Sequence, residues 1–259
     1  AEVLVSHAHV HLVDFGKPVR VGGLLVQPGA LLYGDEHGVI EIPHSLAKVA
    51  GDLCYEVYKS ERPAIDLYQS HWADDATPIE ETLRAYQDLI RAGKVRAIGC
   101  SNYSAGQLAE AVVTARNLGL PQYQSYQPMY NLVARDLEKD HVWIIKKYKI
   151  AVIPYSPLMG GFLSGKYRKG KPVPKSDRAG GLKWAMTDKN FALIDALEKM
   201  GRKRGKTILQ MALGWLLAHD WMTAPIVGAN TPEQLKNSLG AVGLKLTPEE
   251  KTELDKLSA

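Results

Sequence analysis

From Ile65 onward, short apolar runs of β-forming residues alternate with longer stretches whose apolar positions recur every three or four residues. This is the pattern of βα units around a parallel sheet. Five runs read as strands: IDLYQS leading to His71, VRAIGC before Ser101, QYQSYQ ending at Gln127, IAVIPY ending at Tyr155 and TAPIVG ending at Gly228. The first helix is predicted over IEETLRAYQDLIRAG, where Thr77 can cap, Pro78 fits the first turn, Glu80 follows Thr77 by three positions and Gly93 supplies the stop. Further helices are predicted over about 104–117, 136–148, 188–204, 207–218, 231–241 and 247–257. Thr187, Thr207, Thr231 and Thr247 stand where N-caps are expected. The stretch from Pro157 to Ala185, rich in Gly, Pro, Lys and Arg, is too long for a plain connection and reads as a functional loop or lid.

The first 60 or so residues follow a different pattern. VHLVDF, VRVGGLLV, ALLYGD and GVIEIP are strand-like pieces separated by Gly-Lys-Pro, Gln-Pro-Gly and Asp-Glu-His-Gly turns. One weak helix is predicted at about 45–60. The change falls between Ala50 and Ala64, which divides the chain into a β-rich segment, 1–62, and a βα segment, 63–259. Neither contains an internal repeat or a low-complexity tract.

The 259 residues suffice for one barrel or two smaller domains, and 46% hydrophobic with 23% charged residues describes an ordinary globular core. The formal charge of +4 is spread along the chain, which argues against a nucleic-acid or membrane partner. Cys54 and Cys100 lie far apart without CxxC spacing, so a reducing compartment is expected. AEVLVSHAHVHL lacks the marks of a signal peptide, and no apolar run approaches the roughly 20 residues of a membrane span. A cytoplasmic protein is the expectation.

In parallel βα architectures, chemistry gathers at the C-terminal ends of the strands. Here those ends present His71 with Trp72, Ser101 with Asn102, Gln127, Tyr155 with Ser156, and Gly228 with Ala229. Ser101, Asn102 and Gln127 can satisfy both halves of a carboxamide while Tyr155 offers a stacking face, a set suited to nicotinamide. The helix start at Thr231, after Gly228, suits a phosphate.

DLYQSHW, GKVRAIGCSNYS, QSYQPMYNL, IPYSPLMGGFLSGKY and PIVGANTPEQLKNSLGA, in this order, resemble the aldo-keto reductase family over about residues 64–259. The resemblance implies an α/β fold, a (β/α)8 TIM barrel of which this chain holds the fourth to eighth strands, partial or completed. It implies an oxidoreductase that binds NADPH and reduces small aldehydes or ketones. His71 matches the histidine that orients and polarises the substrate carbonyl, and Ser101, Asn102 and Gln127 match the carboxamide-binding residues. Tyr155 matches the ring stacked on nicotinamide. Ser156, Leu158, Gly160 and Gly161 match the loop over the pyrophosphate, and Gly228, Ala229, Asn230, Gln234 and Ser238 match the segment around the adenosine phosphate.

Two departures qualify this. The family usually places a basic residue near Asn230 or Gln234 to pair with the 2′-phosphate; both are neutral here, so NAD is admitted beside NADP, with Lys236 the nearby cation. The family's first three strands deliver an Asp, a Tyr that acts as general acid and a Lys, and no segment before Ile65 matches them. Weak turnover is therefore expected, and the alternative is a non-catalytic NADP-binding module. Tyr33, Tyr55 and Tyr58 are the stand-ins for the acid should the N-terminal segment pack at the barrel mouth. Five βα units also leave open sheet edges, which the N-terminal segment or a second chain of a homo-oligomer would cover.

VSHAHVHLVDFGKPVRVGGLLVQPGALLYGDEHGVIEIPHSLA is similar to the C-terminal part of the RraA-like family of ribonuclease E regulators and metal-dependent aldolases, over about residues 3–60. That family's metal-binding Asp and neighbouring Arg lie upstream of this stretch, so a regulator or lyase ranks below the other readings. His7, His9 and His11 would share one strand face, but with Asp14 as their sole companion no metal is expected. GDEHGV reads as a turn, Asp74 and Asp75 as a solvated turn, and Lys166 to Lys175 as a solvated basic loop near the cofactor phosphates.

Overall fold

The computed structural model describes residues 19–21, 24–26, 31–35, 38–42, 65–174 and 179–259. The chain divides into two compact units, Ala1–Pro63 and Ala64–Ala259. In the first, β1 (Val19–Val21) pairs antiparallel with β2 (Leu24–Val26), and β3 (Leu31–Asp35) pairs with β4 (Gly38–Ile42). The registers Val21↔Leu24 and Asp35↔Gly38 leave two residues between the strands of each pair. VRVGGLLV thus holds two strands rather than one. VHLVDF, the helix expected at about 45–60, the three N-terminal histidines, Cys54, Tyr55 and Tyr58 fall outside the described residues.

The second unit carries four parallel strands in the order β5 (Ile65–Ser70), β6 (Val95–Ser101), β7 (Ser125–Gln127) and β8 (Ala151–Val152). The fifth expected strand is not a regular one. Thr223 and Ala224 donate backbone N–H bonds to the Val152 carbonyl and Ile226 donates to that of Pro154, while the Val152 N–H reaches Thr223 Oγ1. TAPIVG therefore runs alongside β8, but Pro154 and Pro225 each remove a ladder donor and no regular strand forms.

Register sets what each face carries. Gln69, Gly99 and Ser125 stand opposite one another, and the next positions, Ser70, Cys100 and Tyr126, stand opposite one another on the other face. On that second face Cys100 and Tyr126 are buried against the helices. On the first, a Cβ at Gly99 would collide with Ser125 Oγ and come within 3.0 Å of the Ser125 carbonyl, so these strands approach as closely as they do because position 99 has no side chain. Among the described residues β5 pairs only with β6, and its Ile65 and Tyr68 are 47% and 43% exposed.

The helices follow their sequence signals closely. They are α1 (Ile79–Arg91), α2 (Ala105–Leu118), α3 (Leu137–Asp140), α4 (Val142–Tyr148), α5 (Asp188–Arg204), α6 (Ile208–Leu217), α7 (Pro232–Leu239) and α8 (Pro248–Ser258). Thr187, Thr207, Thr231 and Thr247 all accept from the N–H three residues on, and Thr207 and Thr247 complete capping boxes with Gln210 and Glu250. Thr77 does not cap α1: its hydroxyl donates to Asp74 (2.7 Å), and Pro78 takes the cap position. The helix expected over 136–148 is two, parted at His141, whose ring is held by the Tyr103 carbonyl (3.0 Å) and the Tyr126 hydroxyl (3.2 Å).

The C-terminal helix is tied to α6 and to the segment that opens α3 by a polar clamp. Arg135 grips Glu138 (2.6 Å) and donates to the Asp255 carbonyl and to Ser258 Oγ. Asp255 in turn accepts from Trp215 Nε1 (2.8 Å) and Lys251 (2.7 Å). Tyr130, fully buried, donates to Glu138 (2.5 Å). Burial alone would raise the Glu138 pKa, but the Arg135 and Tyr130 hydrogen bonds outweigh it and hold the carboxyl below its ordinary 4.5.

Two expectations follow. In urea unfolding, Gly99→Ala should lose about 1–3 kcal/mol through overpacking, whereas Gly106→Ala, in α2 with only Ser104 Oγ at 3.9 Å, should be neutral or slightly stabilising. Because the Glu138 pKa is depressed on folding, its contribution is present above the ordinary carboxylate value of 4.5 and is lost as pH falls below it. Glu138→Gln should therefore unfold at lower temperature near neutral pH and show a shallower loss of stability on acidification. An unchanged acid limb would refute the assignment.

Candidate active site

The parallel ladder brings the ends of β5, β6 and β7 to one rim, and the chain beyond β8 continues to it: Tyr155 donates its N–H to the Pro128 carbonyl (2.9 Å) and bridges in parallel to Met129. His71 follows β5 and is exposed, its ring 5.9 Å from that of Trp72, which is 62% exposed. Behind it Ser70 bonds the Tyr86 hydroxyl (2.6 Å) and the Tyr123 hydroxyl (3.3 Å), and Tyr123 bonds that of Tyr103 (3.2 Å). Burial pushes the Tyr123 and Tyr126 hydroxyl pKa values well up, and Tyr126 donates to the Tyr103 carbonyl (2.6 Å).

Five of the expected residues are joined by hydrogen bonds. Ser101, buried, donates to the Gln127 carbonyl (2.7 Å). Asn102 Nδ2 donates to the His71 carbonyl (3.1 Å) and to Ser101 Oγ (3.0 Å), and Tyr155 donates its hydroxyl to Asn102 Oδ1 (2.9 Å). Asn102 sits at φ 58°, a left-handed conformation that Asn tolerates better than most side chains. The directions of these bonds decide what remains. The Ser101 proton and both Asn102 N–H groups are engaged, leaving acceptor lone pairs, while the Gln127 amide has no partner among the described residues. Two acceptors beside a free amide can take both the NH2 and the C=O of a carboxamide, so the donor set fits a nicotinamide ring.

After Tyr155 the backbone turns left-handed repeatedly, at Ser156 (φ 52°), Met159 (47°), Gly160 (57°) and Gly161 (92°). Sequence reading missed the residue that holds this loop. Asn131, fully buried, donates to the Ser156 carbonyl (3.0 Å) and accepts from the Val133 and Ala134 N–H groups. Its signal was available, an Asn between apolar neighbours in MYNLV. Leu158 packs at the edge of the core, Leu182 lies against Gly160, and the Lys166 ammonium lies 3.1 Å from where a Gly161 Cβ would stand. Arg168 and Lys169 of the basic loop are engaged by Asp195, Glu198 and Asp188, whereas Lys166 rests over the Tyr167 ring.

Gly228, Ala229 and Asn230 form an exposed approach to α7, reached from β8 through the Ile226–Pro154 bond. Gln234 spends its side-chain oxygen on the Asn230 N–H (2.8 Å), and buried Ser238 turns its hydroxyl back to the Gln234 carbonyl. Asn230 and Gln234 thus meet, while the Ser238 hydroxyl is consumed within the helix. Asp74 and Asp75 serve local structure: Asp74 accepts from the Ala76 N–H and Thr77, and Asp75 accepts from Gln107.

Residues 58–259 match the profile described as the Aldo/keto reductase family. The chain is 32% identical over 199 residues to the L-glyceraldehyde 3-phosphate reductase of Escherichia coli (strain K12), covering 74% of this chain and 57% of that protein. It is 32% identical over 189 residues to the versiconal hemiacetal acetate reductase of Aspergillus parasiticus, covering 72% and 55%. The alignments thus span a little over half the length of these relatives. Among solved structures, the glycerol dehydrogenase from Gluconobacter oxydans superposes with a TM-score of 0.67 at 32% identity, over 88% of this chain and 69% of that one. The α/β architecture with its parallel sheet is consistent with part of a TIM barrel. With this profile match over residues 58–259, the chain belongs to the aldo/keto reductase family.

Proposed function

We propose that the protein is an NAD(P)H-dependent oxidoreductase that reduces small aldehydes or ketones. The observation that carries this is the hydrogen-bonded rim of His71, Asn102, Tyr155, Ser101 and Gln127. Relatives named as reductases of a phosphorylated aldehyde and of a hemiacetal ester support a carbonyl substrate.

When bound, the cofactor supplies the hydride. The protein's part is to hold its carboxamide on Ser101, Asn102 and Gln127, and to offer the Tyr155 ring for stacking. Ser156, Leu158, Gly160 and Gly161, with Lys166 beside them, form the loop for the pyrophosphate. Gly228, Ala229, Asn230, Gln234 and Ser238 form the segment toward the adenosine phosphate. NADP is the proposed partner, with Lys236 the cation on α7 and NAD the second choice. His71, exposed at the rim beside Trp72, is the hydrogen-bond donor for the substrate carbonyl, and the alkoxide formed by hydride transfer takes its proton from solvent at this open rim, which keeps turnover weak. Residues 1–62 are proposed as an RraA-like segment, the cytoplasm as the site of action and a homo-oligomer as the assembly.

Adding NADPH should quench the fluorescence of the five tryptophans, and isothermal titration should give one binding event per chain. Against a panel of small aldehydes and ketones, His71→Ala should lower kcat/KM by about 10²–10⁴-fold with little change in NADPH affinity. Binding without NADPH oxidation across the panel would reduce the protein to a dinucleotide-binding module. No binding of NADPH or NADH would overturn the proposal.

A further inference from the structure

We infer that the Tyr155 hydroxyl, separately from the Tyr155 ring, is the positioning group of the nicotinamide end, because it fixes the side-chain amide of Asn102. The inference rests on the reading that the cofactor carboxamide is received at Ser101, Asn102 and Gln127.

The direction of each bond can be assigned without ambiguity. The His71 carbonyl can only accept, so the atom of Asn102 that faces it at 3.1 Å is the nitrogen. The oxygen then faces Tyr155 at 2.9 Å, and the phenol must be the donor. Asn102 Nδ2 is held from nearby, by Ser101 and by the strand end at His71. Its oxygen is held from 53 residues away, by a side chain whose own backbone is pinned to Pro128. The Tyr155 hydroxyl is thus the link that joins the end of β6 to the chain beyond β8.

Two features make the link consequential. Asn102 is in a left-handed conformation, so the rotamers open to it are restricted by the backbone as well as by these bonds. It is also half-buried, and without Tyr155 its oxygen would have no protein donor among the described residues and would turn toward water. Either change alters the acceptor set that remains for a carboxamide, and neither reaches the segment at α7.

The decisive variant is Tyr155→Phe, which keeps the ring and removes only the hydroxyl. Affinities for NADPH and for 2′,5′-ADP, which has no nicotinamide, are measured by fluorescence titration on the full chain, together with Asn102→Ala and the double variant. We expect Tyr155→Phe to weaken NADPH about three- to tenfold, to leave 2′,5′-ADP within about twofold, and to add nothing further in the Asn102→Ala background. Wild-type affinity for NADPH in Tyr155→Phe would show that only the ring matters and would overturn the inference while leaving the proposed function intact. Equal weakening of both ligands, or additive effects in the double variant, would also overturn it. A wild-type protein that binds neither ligand would remove the proposed function and this inference together.

Discussion

The close parallel approach of β5, β6 and β7 at Gly99 is the constraint on which the rest depends. Gln69, Gly99 and Ser125 meet on one face of the sheet, with Ser125 Oγ donating to the Gln69 amide (3.2 Å), and there is no room there for a side chain on the middle strand. Because parallel registers run evenly along the strands, this contact also fixes where each strand ends. Ser70 lies opposite Cys100 and Ser101 opposite Gln127, so the residues that follow arrive at one rim.

The rim is stiffened from behind by hydroxyl groups. Tyr86, Ser70, Tyr123 and Tyr103 form a continuous chain of hydrogen bonds on the helix side of the sheet, and Tyr126 extends it through the Tyr103 carbonyl to His141. Buried polar groups are costly unless they are paired, so this arrangement permits few alternatives. At the opposite extreme His71, Trp72, Ala229 and Asn230 are exposed, and the rim presents groups to solvent on a rigid support.

The loop beyond Tyr155 combines these features. The Asn131 side-chain nitrogen holds it while the oxygen braces the Asn131–Ala134 turn, and left-handed glycines allow Leu182 and Lys166 to close over positions 160 and 161. A flexible connection would not need a buried amide at its base.

The sequence alone determined the local elements, since caps and periodicity are short-range. Thr187, Thr207, Thr231 and Thr247 begin their helices as their spacing to the following residues requires. Family motifs also pointed to the rim residues by position. Where competition among partners decides, sequence was insufficient: Thr77 prefers Asp74 to the helix N–H groups, and prolines keep TAPIVG from becoming a strand. Only the tertiary structure revealed the direction of the hydrogen bonds through Asn102, the role of Asn131, and the Ser238 hydroxyl turned into its own helix. These depend on which groups from distant segments face one another. Residues 71, 102 and 155 acquire their relation only when the parallel sheet brings three strand ends together.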